Sequence, residues 1–188
     1  MNKFLLLLGV SGVGKTVIIE ELIKLDSRFL YISPYITRPL RDGESNKIFI
    51  TNKKMNQMWE RGEFLIINSL YGIRYATPRL PIVRALIDNK FPVLDWPISQ
   101  IKIMKDTFPN QLYVVYVSPP SINILRERLA KDGRDSDGSR LREAEKELEL
   151  YWSLKYVGIY DFEVITKESQ IKEIANDIYI DYLKSIAP

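Results

Sequence analysis

Three closely spaced glycines, a lysine and a threonine near the start of the chain form a pattern that can bind phosphate. Residues 9–16 read GVSGVGKT. Glycines let the backbone curl so that successive N–H groups point inward at an anion. A lysine at this place reaches the β- and γ-phosphates of a nucleotide, and the threonine hydroxyl that follows can bind Mg²⁺. The pattern therefore predicts a phosphate-binding loop with the ligand-binding residues Gly9, Ser11, Gly12, Val13, Gly14, Lys15 and Thr16.

The segments on both sides of this loop agree with the prediction. Residues 4–8 (FLLLL) are a short apolar run, which predicts a buried strand. After the loop, Ile18, Leu22 and Leu25 recur at helical spacing, which predicts a helix whose N-terminus adds partial positive charge beside the phosphates. A phosphate-binding loop requires this order of strand, turn and helix, so a glycine-rich turn without a ligand is disfavoured.

The composition limits the chemistry that remains. The 188 residues include neither cysteine nor histidine. This excludes disulfides, cysteine or histidine metal sites and a Ser-His-Asp triad, so catalysis must use Lys, Arg, carboxylates, hydroxyls, backbone amides and a bound cation. The length suits one domain. The N-terminal apolar run is too short for a membrane span or a signal peptide, so we expect a cytoplasmic protein without membrane contact.

Strand and helix patterns alternate along the chain, which predicts an α/β fold with a mostly parallel sheet. Residues 112–117 (LYVVYV) are a continuous apolar run typical of a central buried strand, and residues 91–95 (FPVLD) predict a core strand that ends in an acid. Residues 140–154 predict a helix whose apolar face carries, at helical spacing, Leu141, Ala144, Leu148 and Trp152.

The middle of the chain is positively charged. Residues 33–90 hold ten Lys and Arg against five Asp and Glu, although the formal net charge of the whole chain is only +3. A basic segment of this kind indicates an anionic ligand, with a solvated surface as the alternative.

Six segments carry a resemblance to a known family. They are SGVGKT at 11–16, TRPLRDGE at 37–44, GEFL at 62–65, YAT at 75–77, SPPS at 118–121 followed by LRERL at 125–129, and RLREAEKE at 140–147. In this order they resemble motifs of the guanylate kinase family of P-loop nucleoside monophosphate kinases, over nearly the whole chain.

The resemblance implies both a fold and a reaction. The fold would be a three-layer α/β/α P-loop NTPase domain with a parallel core sheet from residues 1–32, 90–130 and 141–188. A monophosphate-binding region would be inserted at 33–89 and a short lid at 131–140. The reaction would be Mg²⁺-dependent transfer of the γ-phosphoryl group of ATP to a nucleoside monophosphate, most simply GMP or dGMP. The partners would be small nucleotides and not nucleic acid, and the protein a monomer or homodimer.

The resemblance also implies roles for individual residues. Arg38 and Arg41 would clamp the acceptor phosphate, a task that suits planar guanidinium groups, and Tyr75 would donate its hydroxyl to the same phosphate. Those expected to act on ATP and the transferring phosphoryl group are Lys15, Arg128, Arg134 and Arg140.

The chain departs from the family where guanine is recognised. The family glutamate that accepts hydrogen bonds from guanine N1–H and its amino group is replaced by Ile66, which cannot accept them. Asn68, on the same strand face, offers one neutral acceptor, and Thr77 keeps the family hydroxyl near the base. Of the family's D-x-D stretch, Asp95 remains and Pro97 replaces the second acid. Asp95 is expected either to orient a Mg²⁺-bound water or to cap the following helix.

Two further positions differ from the family pattern. Pro34 replaces a serine that precedes the first clamp arginine. Lys47 is the expected occupant of the place of a family tyrosine, where a lysine can bind phosphate as a point charge.

Two alternatives remain open, and a third is disfavoured. Ribose 1,5-bisphosphate phosphokinases lack the guanine-reading glutamate, and YITR at 35–38 and DGRD at 132–135 look similar to stretches of that family. Guanylate-kinase-like domains that only bind peptides typically lose the loop lysine or the lid arginines, whereas Lys15 and Arg140 are present here. A P-loop GTPase is disfavoured because the chain contains no N-K-x-D guanine motif.

Overall fold

Strands and helices alternate along the chain in the computed structural model, which describes residues 3–70, 72–133, 135, 138–153 and 158–187. The strands, numbered along the chain, are β1 (Phe4–Leu8), β2 (Phe29–Tyr31), β3 (Tyr35–Ile36), β4 (Ile48–Phe49), β5 (Phe64–Leu70), β6 (Ile73–Pro78), β7 (Phe91–Trp96), β8 (Leu112–Ser118) and β9 (Phe162–Ile165). The helices are α1 (Lys15–Leu25), α2 (Asn52–Glu60), α3 (Arg79–Ile87), α4 (Ile101–Thr107), α5 (Ile122–Lys131), α6 (Ser139–Trp152) and α7 (Ile171–Ile186). None of these helices is long and apolar enough to cross a membrane.

A five-stranded sheet in the order β2–β7–β1–β8–β9 forms the centre of the molecule, and its neighbouring strands are all parallel. β1 is the middle strand, and all five of its residues are buried. The central strands are continuous apolar runs because helices cover both faces of the sheet. The carboxyl ends of the strands share one edge, and the phosphate-binding loop leaves β1 at this edge, where ligands of such folds bind.

Two apolar clusters, one on each face of the sheet, hold the layers together. On one face Leu7 belongs to a cluster with Ile18 of α1 and Ile178 of α7. On the other face Leu6 belongs to a cluster with Ile82 of α3 and with residues of α4 and α6. Neighbouring leucines of β1 go to opposite faces because strand side chains alternate. The arrangement confirms the predicted α/β/α fold with a parallel core sheet.

A second, four-stranded sheet in the order β4–β3–β6–β5 forms within residues 35–78. β3 pairs with β4 in parallel and with β6 antiparallel, and β5 and β6 form a long antiparallel pair. The sequence pattern does not predict β3, because this strand has only two residues and lies between Pro34 and Pro39. The second sheet packs on α2 through a small cluster that includes Met55 and Phe64.

The sequence prediction for the inner face of α6 is wrong at the end of the helix. Trp152, predicted on the apolar face, is 74% exposed, whereas Tyr151 is 6% exposed. The Tyr151 ring stacks on Tyr116 of β8, with centroids 3.7 Å apart and planes within 3°. A helix turns once in 3.6 residues, so residues three and four after Leu148 both lie near its inner face. The stacking contact with Tyr116 of the sheet explains why Tyr151, and not Trp152, is the buried residue.

Replacement of Tyr151 by alanine is expected to lower the free energy of unfolding by about 3–5 kcal/mol, because it empties a buried aromatic site. Trp152→Ala, the comparison on the next residue, is expected to lower it by only about 0.5–1.5 kcal/mol, because its exposed ring makes an edge-to-face contact with Tyr151. Urea unfolding of the two variants measures this difference, and equal losses in both would contradict the packing described here.

Candidate active site

The phosphate-binding loop is packed so closely against β8 and α5 that two of its glycines have no room for a side chain. Gly9 has a φ of 139°, and a Cβ atom there would lie 2.4 Å from the carbonyl oxygen of Val117. Gly12 has a φ of 82°, and its Cβ atom would lie 2.7 Å from Cδ2 of Leu129. The neighbouring elements therefore impose the curled backbone, which leads into α1 through Gly14 at the N-cap.

Lys15, the first residue of α1, folds back over the loop. Its Nζ donates hydrogen bonds to the carbonyl oxygens of Gly9 (2.5 Å) and Val10 (2.9 Å). Burial lowers the pKa of Lys15, and the negative charges of Asp95 and Glu147 oppose this shift. The two carboxylates therefore help to keep the ammonium group protonated beside the loop.

Arg140, at the start of α6, is tied to the loop from the other side. Its Nη2 donates to Oγ of Ser11 at 2.8 Å, and its Nη1 donates to Oδ2 of Asp132 at 2.5 Å. The carboxylate of Asp135 accepts hydrogen bonds from two backbone N–H groups in the first turn of α6, and so holds this helix start in place. The predicted lid residue Arg134 lies outside the described residues.

Arg128 of α5 is hydrogen-bonded to the residue that follows β9. Its Nη1 donates to Oγ1 of Thr166 at 3.0 Å, and its Nη2 donates to the carbonyl oxygen of the same residue at 3.1 Å. Thr166 is fully buried and donates to the carbonyl oxygen of Ser118. Arg128 therefore supports the wall of the site, and its contact with ATP stays a prediction.

Glu44 organises the basic residues of the opposite wall. Each of its carboxylate oxygens accepts a hydrogen bond of 2.7 Å from the Arg38 guanidinium. The carboxylate also accepts from the backbone N–H of Arg41 at 3.2 Å and lies 3.2 Å from Nζ of Lys47. These partners, with Arg38 foremost, lower the pKa of Glu44 to about 2. Glu44 is absent from the residues predicted from sequence, although its place in the motif at 37–44 indicates a role.

The strand pair β5–β6 supplies another wall. Asn68 lies opposite Tyr75, and both line the site. Thr77, two residues after Tyr75 on the same face, is 5% exposed and lines it too. Burial raises the pKa of Tyr75, and the neighbouring arginines act against this shift. The Tyr75 hydroxyl therefore stays protonated and can donate a hydrogen bond.

Ile66 lies on the face of β5 that carries Asn68, directly opposite Thr77 of β6. It is 8% exposed and packs in the apolar cluster that includes Ile32, Leu94 and Trp96. These three neighbours line the site. Ile66 is therefore a buried apolar residue on the site face of β5, and Asn68 is the polar residue on the same face.

Asp95 lies beside the strand that leads into the loop. β7 pairs with β1 so that Asp95 is opposite Leu7, and the Asp95 side chain is exposed to the site. The hydroxyl of Tyr31 donates a hydrogen bond of 2.8 Å to Oδ1 of Asp95. The 3₁₀ turn and the helix α4 that follow have Pro97 and Gln100 as their N-caps, without a side-chain capping bond. Asp95 is therefore not a helix cap, which was one of the two expectations.

A single cleft of about 550 Å³ is lined by nearly all of the predicted site residues that the structure describes. They are Gly9, Ser11, Gly12, Val13, Gly14, Lys15, Thr16, Arg38, Arg41, Lys47, Asn68, Tyr75, Thr77, Asp95, Arg128 and Arg140. The loop residues come from the core sheet and the basic clamp from the second sheet, so the cleft lies between the two sheets. Ile66 is the described residue of the predicted set that does not line it.

The helix α6 adds two acidic residues that the sequence analysis does not single out. Glu143 and Glu147 follow Arg140 by three and seven residues, and all three line the cleft. Burial raises the pKa of Glu147, and the charge of Lys15 opposes the shift. The spacing of seven residues within the motif at 140–147 could have indicated Glu147, because such residues share a helix face.

The low pKa of Glu44 predicts a pH-dependent stability. Its carboxylate is more acidic in the folded chain than its ordinary value of 4.5, so its stabilising effect is complete above about pH 4.5. The effect is lost as the pH falls toward about 2. Glu44→Gln should lower the free energy of unfolding by about 2–3 kcal/mol at pH 7 and by less at each step below pH 4.5.

Urea unfolding at several pH values measures this difference between wild type and variant. Glu63→Gln is the control, because Glu63 pairs with Arg61 at the surface, where an ion pair contributes only about 0–1 kcal/mol. A loss in Glu44→Gln that stays constant from pH 7 to pH 3 would contradict the role of the carboxylate charge.

Known proteins resemble this chain both in sequence and in fold. Residues 1–184 match the family model for guanylate kinase. The guanylate kinase of Carboxydothermus hydrogenoformans is 32% identical over 97% of this chain and 80% of its own, and that of Clostridioides difficile is 30% identical over 95% and 86%. The crystal structure of guanylate kinase from Anaplasma phagocytophilum superposes with a TM-score of 0.76 at 19% identity, covering 99% of this chain and 87% of that one. The chain therefore belongs to the guanylate kinase family.

Proposed function

We propose that this protein transfers the γ-phosphoryl group of ATP to the phosphate of a nucleoside monophosphate, with GMP as the reference acceptor. The observation that carries the proposal is the cleft in which the loop with Lys15 faces the clamp of Arg38 and Arg41. Membership of the guanylate kinase family supports an ATP-dependent nucleoside monophosphate kinase. The same match favours this function over sugar-phosphate kinases and peptide-binding modules of the superfamily.

The donor side of the cleft binds and orients the triphosphate. The backbone N–H groups of the loop and the N-terminus of α1 attract phosphate oxygens. Lys15 neutralises charge on the β- and γ-phosphates, and Arg140, held by Asp132 and Ser11, stands at the same loop. The bond from the γ-phosphorus to the bridging oxygen breaks, and its electron pair leaves with ADP. Preoriented cations lower the cost of this charge movement, so no protein nucleophile is needed.

The acceptor side holds the attacking phosphate oxygen in place. Glu44 fixes the Arg38 guanidinium through two parallel hydrogen bonds, which limits the orientations that it can adopt. Arg41 and Tyr75 line the same part of the cleft and add a second cation and a hydroxyl donor. An oxygen of the acceptor phosphate forms the new bond to the γ-phosphorus. Correct placement of the two reactants supplies much of the rate enhancement in such transfers.

The residues present fit a Mg²⁺ ion bound with ATP. The Thr16 hydroxyl and the Asp95 carboxylate line the same cleft. Mg²⁺ binds through one or two protein oxygens while keeping phosphate and water oxygens, and these two side chains have that chemistry. When bound, the ion would neutralise phosphate charge. Thr16 would be its direct ligand, and Asp95 would accept hydrogen bonds from its water.

The function predicts turnover that depends on Lys15. Release of ADP is measured with ATP and a panel of acceptors: GMP, dGMP, AMP, dAMP, UMP, CMP, TMP and ribose 1,5-bisphosphate. At least one monophosphate should be phosphorylated, and Lys15→Ala should lower kcat about 10²- to 10³-fold, the scale for one preorganised contact. Lys24→Ala is the control at the far end of the same helix, where Lys24 pairs with Glu21 at the surface.

Each result has one interpretation. Wild-type turnover by Lys15→Ala would refute the loop assignment. Turnover of ribose 1,5-bisphosphate alone would replace the nucleotide acceptor by a sugar phosphate. ATP binding without turnover of any acceptor would favour a binding module.

The wall formed by Asn68 and Thr77 carries no charge, which predicts weak discrimination between purine bases. A site that hydrogen-bonds a substrate group rejects analogues without that group by large factors. Asn68 offers only a neutral amide for such hydrogen bonds. The ratio of kcat/KM for GMP to that for AMP should therefore be low in the wild type. Asn68→Asp should raise it roughly tenfold or more, because a carboxylate accepts both guanine donors. Ile66→Glu is a poorer test, since Ile66 is buried in an apolar cluster and the charge would destabilise the fold.

Ser69→Asp is the matched control for this prediction. Ser69 is the next residue of β5 and lies on the opposite face of the strand, exposed to solvent. The Ser69→Asp substitution adds the same charge as Asn68→Asp but places it outside the cleft. An equal change of the ratio in both variants would show that charge alone, and not contact with the base, alters selectivity. If the wild type prefers GMP to AMP by several thousandfold, the prediction of weak discrimination is wrong.

A further inference from the structure

The contact between Tyr31 and Asp95 joins the edge strand β2 to the catalytic edge of the sheet. Tyr31 is the last residue of β2 and pairs with Val93 of β7, so Asp95 lies two residues further along on the same face. The Tyr31 hydroxyl donates to Oδ1 of Asp95 at 2.8 Å. Within the described ranges of the chain, Oδ2 of Asp95 has no hydrogen bond of its own.

The position of Asp95 makes this contact important. Its side chain is exposed in the cleft, beside β1 and close enough to Lys15 to affect the charge of that residue. An exposed carboxylate with no partner would sample several rotamers. The next candidate acid along the chain is replaced by Pro97, so Asp95 has no carboxylate at that position to share its task.

The Tyr31 side chain separates into a packing part and a polar tip. Its ring packs against the apolar cluster on the α1 face of the sheet, and only the hydroxyl reaches the carboxylate. Removal of the hydroxyl therefore leaves the packing of the ring in place. This makes the contact testable without a large loss of stability.

We propose that Tyr31 is a positioning residue, whose hydroxyl holds Asp95 in one rotamer and leaves Oδ2 to orient the hydrated metal ion of the nucleotide complex. The proposal rests on the proposed kinase function for the identity of that ion. Tyr31 itself is not among the residues that line the cleft. Its effect passes through Asp95, and this distinguishes it from a residue that supports the fold in general.

The test measures metal binding directly. Mn²⁺, which replaces Mg²⁺ in oxygen sites, is titrated into the complex of the full chain with ADP, and free Mn²⁺ is followed by electron paramagnetic resonance. Tyr31→Phe should weaken Mn²⁺ binding roughly tenfold, the scale of one hydrogen bond to a charged group. In turnover assays the Mg²⁺ concentration that gives half of the maximal rate should rise by a similar factor, while the KM of the acceptor stays unchanged. Tyr35→Phe is the control, because Tyr35 packs against Phe64 in the small second-sheet cluster.

A double-mutant cycle shows whether the effect passes through Asp95. In the Asp95→Ala background, Tyr31→Phe should cause no further loss of Mn²⁺ affinity, because its partner is absent. An equal further loss would overturn the proposal, as would unchanged Mn²⁺ affinity in Tyr31→Phe alone. If the wild type transfers no phosphoryl group but the cycle behaves as expected, the proposed function fails and the role of Tyr31 stands.

Discussion

The close parallel packing of β1 between β7 and β8 is the constraint on which the site depends. The backbone of Gly9 emerges from the sheet so near the carbonyl oxygen of Val117 that no Cβ atom fits. The chain must therefore curl before it enters α1, and Lys15 and Thr16 come to lie at the open edge. The same pairing sets Asp95 beside β1, because its register places this residue opposite Leu7. One packing constraint thus shapes the loop and places Asp95 beside it.

Acidic neighbours restrain the cations of the cleft. Arg38 is bound by Glu44, and Arg140 by Asp132. Each pair fixes the plane or position of a guanidinium group that would otherwise be mobile, so both groups are oriented before any ligand binds. The cost is competition, since a carboxylate that holds an arginine also offers it an alternative partner. The Glu44 carboxylate divides its contacts among Arg38, the Arg41 backbone and Lys47, so it is not committed to Arg38 alone.

Two walls of the cleft differ in charge. One wall carries the cations Arg38, Arg41 and Lys47. The wall from β5 and β6 presents Asn68 and Thr77 as neutral polar groups. Under the proposed function, recognition of the phosphate and recognition of the base would therefore rest on different segments and on different forces.

The sequence by itself determined the phosphate-binding loop and the family, because both depend on residue types at short, fixed spacings such as 9–16 and 37–44. It also indicated the buried strands, whose apolar runs record their place inside a parallel sheet. Tertiary structure decided the rest. Tyr31 meets Asp95 across 64 residues of chain, and no local pattern records that distance. Ile66 is buried in an apolar cluster, and Tyr151 is buried in place of Trp152, because contacts with other elements decide which positions are buried, and a helical or strand period alone does not.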